Sequence, residues 1–419
     1  MRSQRRTLAL LVLLVVSCGE GNTGWTPPPG VDQGGVHGDT GAGDPDGQGE
    51  QGVGAPDGGT TSRPGIVVID VQQLFVQWAA NKDIGQIIDN IGALLQLAGQ
   101  RATPLFITYE ASKNASTGHN LAPALQPLVP GHAQEFIKTT FAATSLPAFA
   151  NAVKQANLTH LIVVGAETDV CVLQTVLGLR AMGHAVVLQK DAVFTSETNT
   201  GPALRRMEQA GVALAGAAQV TAYLEGTSPL PLAQGGPVVI IKPMSIAFIL
   251  NGLTDAALAG TQDPYKTAKL ARLRELLLIS EWFDVPLYCT TAGSPLPTQL
   301  AGLITKQIQP VTELAQSTVA QVVLAGSDAG LASLVSSQGG SRDVFLLADG
   351  LLASGAAAAH DAALEQLYTG GAVPLTYKAL YYGMTKSVDL NEWPTAWQAR
   401  DPIYYPKTKA PEDLPPIIK

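Results

Sequence analysis

The feature that most narrows the folds open to this chain begins at Ile66, where short uninterrupted apolar runs start to alternate with amphipathic stretches. Four or five consecutive aliphatic residues between turn signals suit a strand buried on both faces. Amphipathic segments between such runs suit covering helices, so the pattern reads as βαβ units around a parallel sheet. Ile66-Val67-Val68-Ile69 is the first strand, and Ile84, Ile87, Ile88, Ile91, Leu94, Leu95 and Ala98 share one helical face. Residues 104–108 form the next strand, 146–156 a helix, and 161–164 a third strand ending at Gly165. A helix over 169–182, closed by Gly183, and a fourth strand over 185–188 complete the outline. The expectation for residues 64–226 is a three-layer α/β/α sandwich with a mainly parallel sheet.

The scheme then recurs. Val285-Pro286-Leu287-Tyr288-Cys289-Thr290 echoes Thr103-Pro104-Leu105-Phe106-Ile107-Thr108, and Val322-Val323-Leu324-Ala325-Gly326 echoes Leu161-Ile162-Val163-Val164-Gly165. Asp349 and Ser354 keep the separation of Asp191 and Ser196, and Gly370-Gly371-Ala372 matches Ala210-Gly211-Val212 in order. Residues 237–385 are therefore expected to be a diverged copy of 64–226, packed on it as an intrachain pseudo-dimer, with further self-association left open. A length of 419 residues exceeds one ordinary core, and a charged fraction of only 14% fits two well-buried ones. The stretch 386–419, with Trp393, Trp397, Tyr404 and Tyr405 among prolines, lacks either periodicity and is expected to wrap across a domain surface.

Upstream of the folded region the chemistry changes. Residues 1–6 are basic, residues 8–16 are apolar but too short to span a bilayer comfortably, and Val15-Val16-Ser17-Cys18 follows. This junction resembles the lipobox of bacterial lipoproteins, which implies a signal peptide over 1–17 and lipidation of Cys18. Residues 18–63, rich in Gly, Pro and Asp, cannot bury enough apolar surface to offset their conformational entropy and read as a tether. The expected location is the bacterial cell envelope. Gly19 lacks the Asp associated with inner-membrane retention, which favours the outer membrane, facing periplasm or exterior. A net charge of −8 without basic clusters beyond the first six residues argues against nucleic acid as a partner.

Among three scattered cysteines, Cys171 stands out, because Gly165-Ala166-Glu167-Thr168-Asp169-Val170-Cys171-Val172 places a thiol at a helix start just past a buried strand. That is the edge of an open α/β sheet where ligands bind, and a helix N-terminus lowers a thiol pKa. With Val67-Val68-Ile69-Asp70-Val71-Gln72, Ile137-Lys138-Thr139-Thr140-Phe141 and Asp191-Ala192-Val193 in the same order and spacing, residues 64–226 resemble the isochorismatase-like cysteine hydrolases. The resemblance implies Cys171 as nucleophile, Asp70 as the base that takes its proton, and Lys138 as the cation beside both. It also implies a cis bond between Ala166 and Glu167, with the amides of Glu167 and Cys171 forming an oxyanion hole.

Members acting on nicotinamide carry an Asp and paired His for a metal after the second strand, where this chain has Thr108-Tyr109-Glu110-Ala111-Ser112. No metal or other cofactor is expected, and His119 and His132 read as loop residues. The second copy lacks the equipment: counting along the echoes puts Ala329 at the Thr168 position, Ala332 at that of Cys171, and Asn251 near that of Asp70, with Lys306 standing for Lys138. A serine triad of Ser327, Asp349 and His360 is a minor alternative, without the G-x-S-x-G turn. The expected function is hydrolysis of a C–N bond in a small amide through a thioester on Cys171. The competing class is a non-catalytic binding or scaffold lipoprotein with a relic triad.

Overall fold

Parallel strands need crossovers that lie on the sheet, and the chain supplies them twice. The computed structural model describes residues 62–111, 120–197, 200–232, 235–291 and 296–388. The expected signal peptide and nearly all of the expected tether lie outside these residues, as do Cys18 and all but the first three positions of the C-terminal stretch. The first half carries strands β1 (Pro64–Ile69), β2 (Leu105–Glu110), β3 (Gln134–Lys138), β4 (His160–Ala166), β5 (Ala185–Phe194) and β6 (Ala213–Ala215). Its helices are α1 (Gln73–Trp78), α2 (Ile84–Arg101), α3 (Pro147–Gln155), α4 (Leu173–Ala181), α5 (Gly201–Gln209) and α6 (Ala217–Leu224). The second half carries β7 (Ile246–Asn251), β8 (Leu287–Cys289), β9 (Gln309–Pro310), β10 (Gln321–Ser327), β11 (Asp343–Leu352) and β12 (Val373–Leu375). Its helices are α7 (Asp255–Gly260), α8 (Lys266–Trp282), α9 (Leu331–Gly339), α10 (Ala357–Thr369) and α11 (Tyr377–Thr385). No helix of the described residues is long and apolar enough to cross a membrane.

The two sheets have six strands each, in the orders β3-β2-β1-β4-β5-β6 and β9-β8-β7-β10-β11-β12, so each strand of one has a counterpart in the other. All named strand pairs are parallel, with helices on both faces of each sheet, which is the three-layer α/β fold expected from the sequence. The registers correspond as well: Ile69 pairs with Gly165 and Asn251 with Gly326. Both glycines sit at positive φ (122° and 105°), and a Cβ would stand 2.1 Å from the Ile69 carbonyl oxygen at Gly165 and 2.5 Å from that of Asn251 at Gly326. Only glycine satisfies such a backbone approach. Asp191 and Asp349 also play one part, since each carboxylate accepts a backbone N–H from the first residue of the last helix of its half, Ala217 and Tyr377 respectively.

Register corrects one expectation by a residue. Asn251 occupies the place of Ile69, so the counterpart of Asp70 is Gly252, and both residues have left-handed φ, 50° and 54°. Lys306 does not stand for Lys138. It caps the end of α8 by donating to the carbonyls of Ser280 and Val285, whereas β9 stops two residues after its start and a 3-10 turn follows. Sequence does not mark the strand containing Lys138, because Gln134–Lys138 mixes exposed polar residues with a single buried end.

The described residues form one compact unit, and the halves meet through non-equivalent faces. The core under α3, α4 and α5 of the first sheet is continuous with the core between the second sheet and α8 and α11. By strand correspondence α8 and α11 match α2 and α6, which cover the other face of the first sheet. Helix α5 lies over β12, Gln209 donates to the carbonyls of Tyr368 and Ala372, and the Arg206 guanidinium lies 5.3 Å from the Phe345 ring centre.

Candidate active site

Four buried side chains converge at the carboxyl edge of the first sheet. Asp70 follows β1, Glu110 ends β2, Lys138 ends β3, and Cys171 lies in a π-helical turn, Thr168–Val172, between β4 and α4. Central parallel strands β1 and β4 and their neighbour β2 end together here, so residues far apart in sequence meet. The sequence placed Cys171 in a regular helix beginning at Asp169. The π turn instead widens the helix start before α4 begins at Leu173.

The Lys138 ammonium is 2.6 Å from Asp70 Oδ2 and donates to Cys171 Sγ at 3.3 Å. Thr108 Oγ1 donates to the other Asp70 oxygen at 2.8 Å, fixing the carboxylate plane. The Cys171 thiol donates toward Glu110 Oε2 at 3.8 Å, and the Glu110 backbone is held by Gln72, whose amide both accepts from its N–H and donates to its C=O. The Ala166–Glu167 bond is cis. The structure thus brings Asp70, Lys138 and Cys171 together, with Glu167 four residues before the thiol on the same turn.

The electrostatics differ from the expected lowered thiol pKa. Burial pushes the Cys171 thiol well above its ordinary value; Lys138 pulls it down, but Asp70 and Glu110 push it up again. Burial alone would lower Lys138, yet the charges of Asp70, Cys171 and Glu110 hold it above its ordinary value. The Cys171 thiol thus lies beside an ammonium–carboxylate pair, and burial together with two nearby carboxylates moves it opposite to the direction a helix start gives.

Donor atoms of Asp70, Glu110 and Cys171 lie within 4.8 Å of one another, a spacing that would suit a cation. The Lys138 ammonium already contacts two of these three groups and supplies the positive charge. His132 bonds to the Thr103 carbonyl oxygen, away from this cluster, and His119 lies outside the described residues. Sequence does not single out Glu110, which stands only where the nicotinamide-acting members carry metal ligands.

Among the described residues, the second half shows no matching cluster of thiol, ammonium and carboxylate at its sheet edge. Register puts Gly252 at the place of Asp70, and counting on from Gly326 puts Ala332 at that of Cys171. The serine-triad alternative fails on geometry: His360 Nδ1 pairs with Asp328 at 2.7 Å, while Asp349 faces the Tyr377 amide and Arg272.

Residues 64–219 match the family model described as Isochorismatase domain. Comparison with curated proteins finds no match. Among solved structures, the MAR1 ribonuclease of Caenorhabditis elegans is 25% identical over 43% of this chain and 97% of its own, with a TM-score of 0.36. The YcaC gene product of Escherichia coli, described as an octameric hydrolase of unknown specificity, is 26% identical over 39% and 80%, with a TM-score of 0.37. The nicotinamidase PncA of Bacillus subtilis is 19% identical over 36% and 99%, with a TM-score of 0.33.

Proposed function

With an isochorismatase domain over residues 64–219, we propose that the chain is a cysteine hydrolase that cleaves the C–N bond of a small amide at Cys171. One observation carries this reading: a buried thiol in contact with a buried ammonium–carboxylate pair, on residues 70, 138 and 171 that have no local reason to meet. A buried ion pair beside a thiol is costly to keep and does little for stability against an apolar alternative, so a chemical role explains it better.

In the proposed cycle the thiol sulfur attacks the amide carbonyl carbon while its proton passes to Asp70. The S–C bond forms, and the tetrahedral oxygen is met by the amides of Glu167 and Cys171. Collapse breaks the C–N bond, the leaving nitrogen takes the proton from Asp70, and a thioester remains on Cys171. Water, deprotonated by the same carboxylate, then attacks the thioester; the acid leaves and the thiol is restored. The raised thiol pKa makes proton removal part of the attack rather than a preceding step. Lys138 keeps Asp70 oriented and compensates the charge on sulfur. Glu110 stands close enough to share the proton.

The purified protein incubated with p-nitrophenyl acetate and small amides should acquire an acyl mass on Cys171, and the Cys171→Ala variant should lose turnover by a factor of about 10³ or more. Turnover retained in Cys171→Ala would end the reading in favour of the binding or scaffold alternative. On the same reading the second half is a catalytically degenerate copy, and the chain is exported and held at a membrane by lipid on Cys18, supported by the lipobox-like junction. The mature N-terminus, read by mass spectrometry of membrane fractions, should begin at a lipid-modified Cys18; a soluble species starting elsewhere would refute the anchor.

A further inference from the structure

One helix of the second half reaches into the walls of the first half's site. Helix α11 carries Lys378, whose ammonium lies 2.8 Å from Glu167 Oε2 and 3.5 Å from Asp169 Oδ1, with all three side chains at most 2% exposed. Thr195 and Ser196 hydroxyls lie 3.3 and 3.1 Å from the same nitrogen. Their segment ties the carboxylates in turn: the Ser196 N–H donates to Glu167 Oε1 and the Thr195 hydroxyl to Asp169 Oδ1. Glu167 and Asp169 belong to the turn that bears Cys171. Among the described residues, Lys378 is the cation within ion-pair distance of either carboxylate.

The charge balance agrees with one ammonium serving two acids. Burial pushes Glu167 up, but Lys378 and the Ser196 hydrogen bonds bring it below its ordinary value. Burial raises Asp169, and the neighbouring Glu167 charge keeps it raised despite Lys378. The same helix also braces the lysine segment. Tyr382 packs against Phe141 with ring centres 4.5 Å apart, and the Lys386 carbonyl just past the helix accepts from the Ala142 N–H. In the first half's corresponding helix, α6, strand register puts Ala218 at the place of Lys378, so this cation is not a feature shared by both copies.

Resting on the hydrolase reading above, we infer that Lys378 is a positioning residue for the reaction at Cys171. It holds the side chains of Glu167 and Asp169, and thereby sets the backbone of the turn whose amides receive the substrate oxygen. The second half has lost its own nucleophile and carboxylate and supplies the first half with a structural cation in exchange for none of its chemistry. A small displacement of that turn would misplace the oxyanion donors, an effect worth roughly a hundredfold in rate for about an ångström of movement.

Two reagents separate positioning from mere stability. Acylation of Cys171 by p-nitrophenyl acetate passes through a tetrahedral oxyanion, whereas alkylation by iodoacetamide displaces iodide and forms none. In the full chain, with labelling read by peptide mass at Cys171, Lys378→Met should slow acetylation by about tenfold or more and leave alkylation within about threefold. If Lys378→Met does not fold, Lys378→Met combined with Glu167→Gln removes the ammonium and one carboxylate together, and the same split between reagents is expected. Equal loss with both reagents, or wild-type acetylation in a folded variant, would overturn the inference. Failure of either reagent to label Cys171 in the unaltered protein would instead defeat the nucleophile reading, and the inference with it.

Discussion

The two halves share a sheet order, a register, a left-handed residue after the first strand, a glycine pressed against that strand and an aspartate capping the last helix. They differ in the side chains at the carboxyl edge of the sheet. Gly252 stands at the register place of Asp70, Ala332 falls at that of Cys171 by counting from Gly326, and the strand that presents Lys138 has shrunk to Gln309–Pro310. A cavity of about 260 Å³ remains at the corresponding edge of the second sheet, lined by Gly252, Leu253, Ser327, Ala329 and Leu352 among others. The contrast separates two kinds of constraint. Backbone approach and helix capping serve folding and persist in both halves, while the ionisable groups at strand ends, which on the proposed hydrolase reading serve chemistry, are dispensable to the fold.

The sharpest way to break this comparison is at the paired glycines. Gly165→Ala and Gly326→Ala each force a Cβ to 2.1 or 2.5 Å from a backbone oxygen at positive φ. Both should destabilise the protein on the order of 4 kcal/mol or more, measured by urea denaturation. If Gly326→Ala costs less than about 1 kcal/mol, the second half is not under the constraint that holds the first.

The fold was legible because buried parallel strands write continuous aliphatic runs, and both sets of runs are unbroken in the sequence. Asp70, Lys138 and Cys171 were legible through motif order, not through any local signal. Three things were not. Glu110 at a strand end looks like any surface carboxylate until the strand termini are brought together. The place of Asp70 in the second half was misjudged by one residue, because counting along the chain assumes equal intervening lengths and sheet register does not. Lys378 contacts residues 182 and more positions away, and its one trace in sequence is a lone cation in an otherwise apolar and aromatic helix, Tyr377-Lys378-Ala379-Leu380-Tyr381-Tyr382. No propensity identifies the partner of such a group; only tertiary packing does.

A smaller effect tests how the shared aspartate cap is used where a cation joins it. Asp349 accepts the Tyr377 N–H and lies 3.5 Å from Arg272 Nε, and Arg272 also reaches Glu197 of the first half at 3.6 Å. Burial pushes the Asp349 carboxyl up to about 6, against the pull of Arg272 and the Tyr377 hydrogen bond. Because the folded state holds this proton more tightly than the unfolded chain, the group's contribution to stability is fully present below the unfolded pKa near 4. It is lost as pH rises through 6. Two pKa units correspond to about 3 kcal/mol as an upper bound on that loss. Asp349→Asn keeps an acceptor for the Tyr377 N–H and removes the titration. Its stability relative to the unaltered protein should therefore improve between pH 4 and pH 7, by up to about 3 kcal/mol in urea denaturation. A relative loss over the same interval would mean that the ionised Asp349–Arg272 pair stabilises the folded chain. The cap would then be working as a charged link between α8 and α11 rather than as the neutral acceptor that the burial of this carboxyl favours.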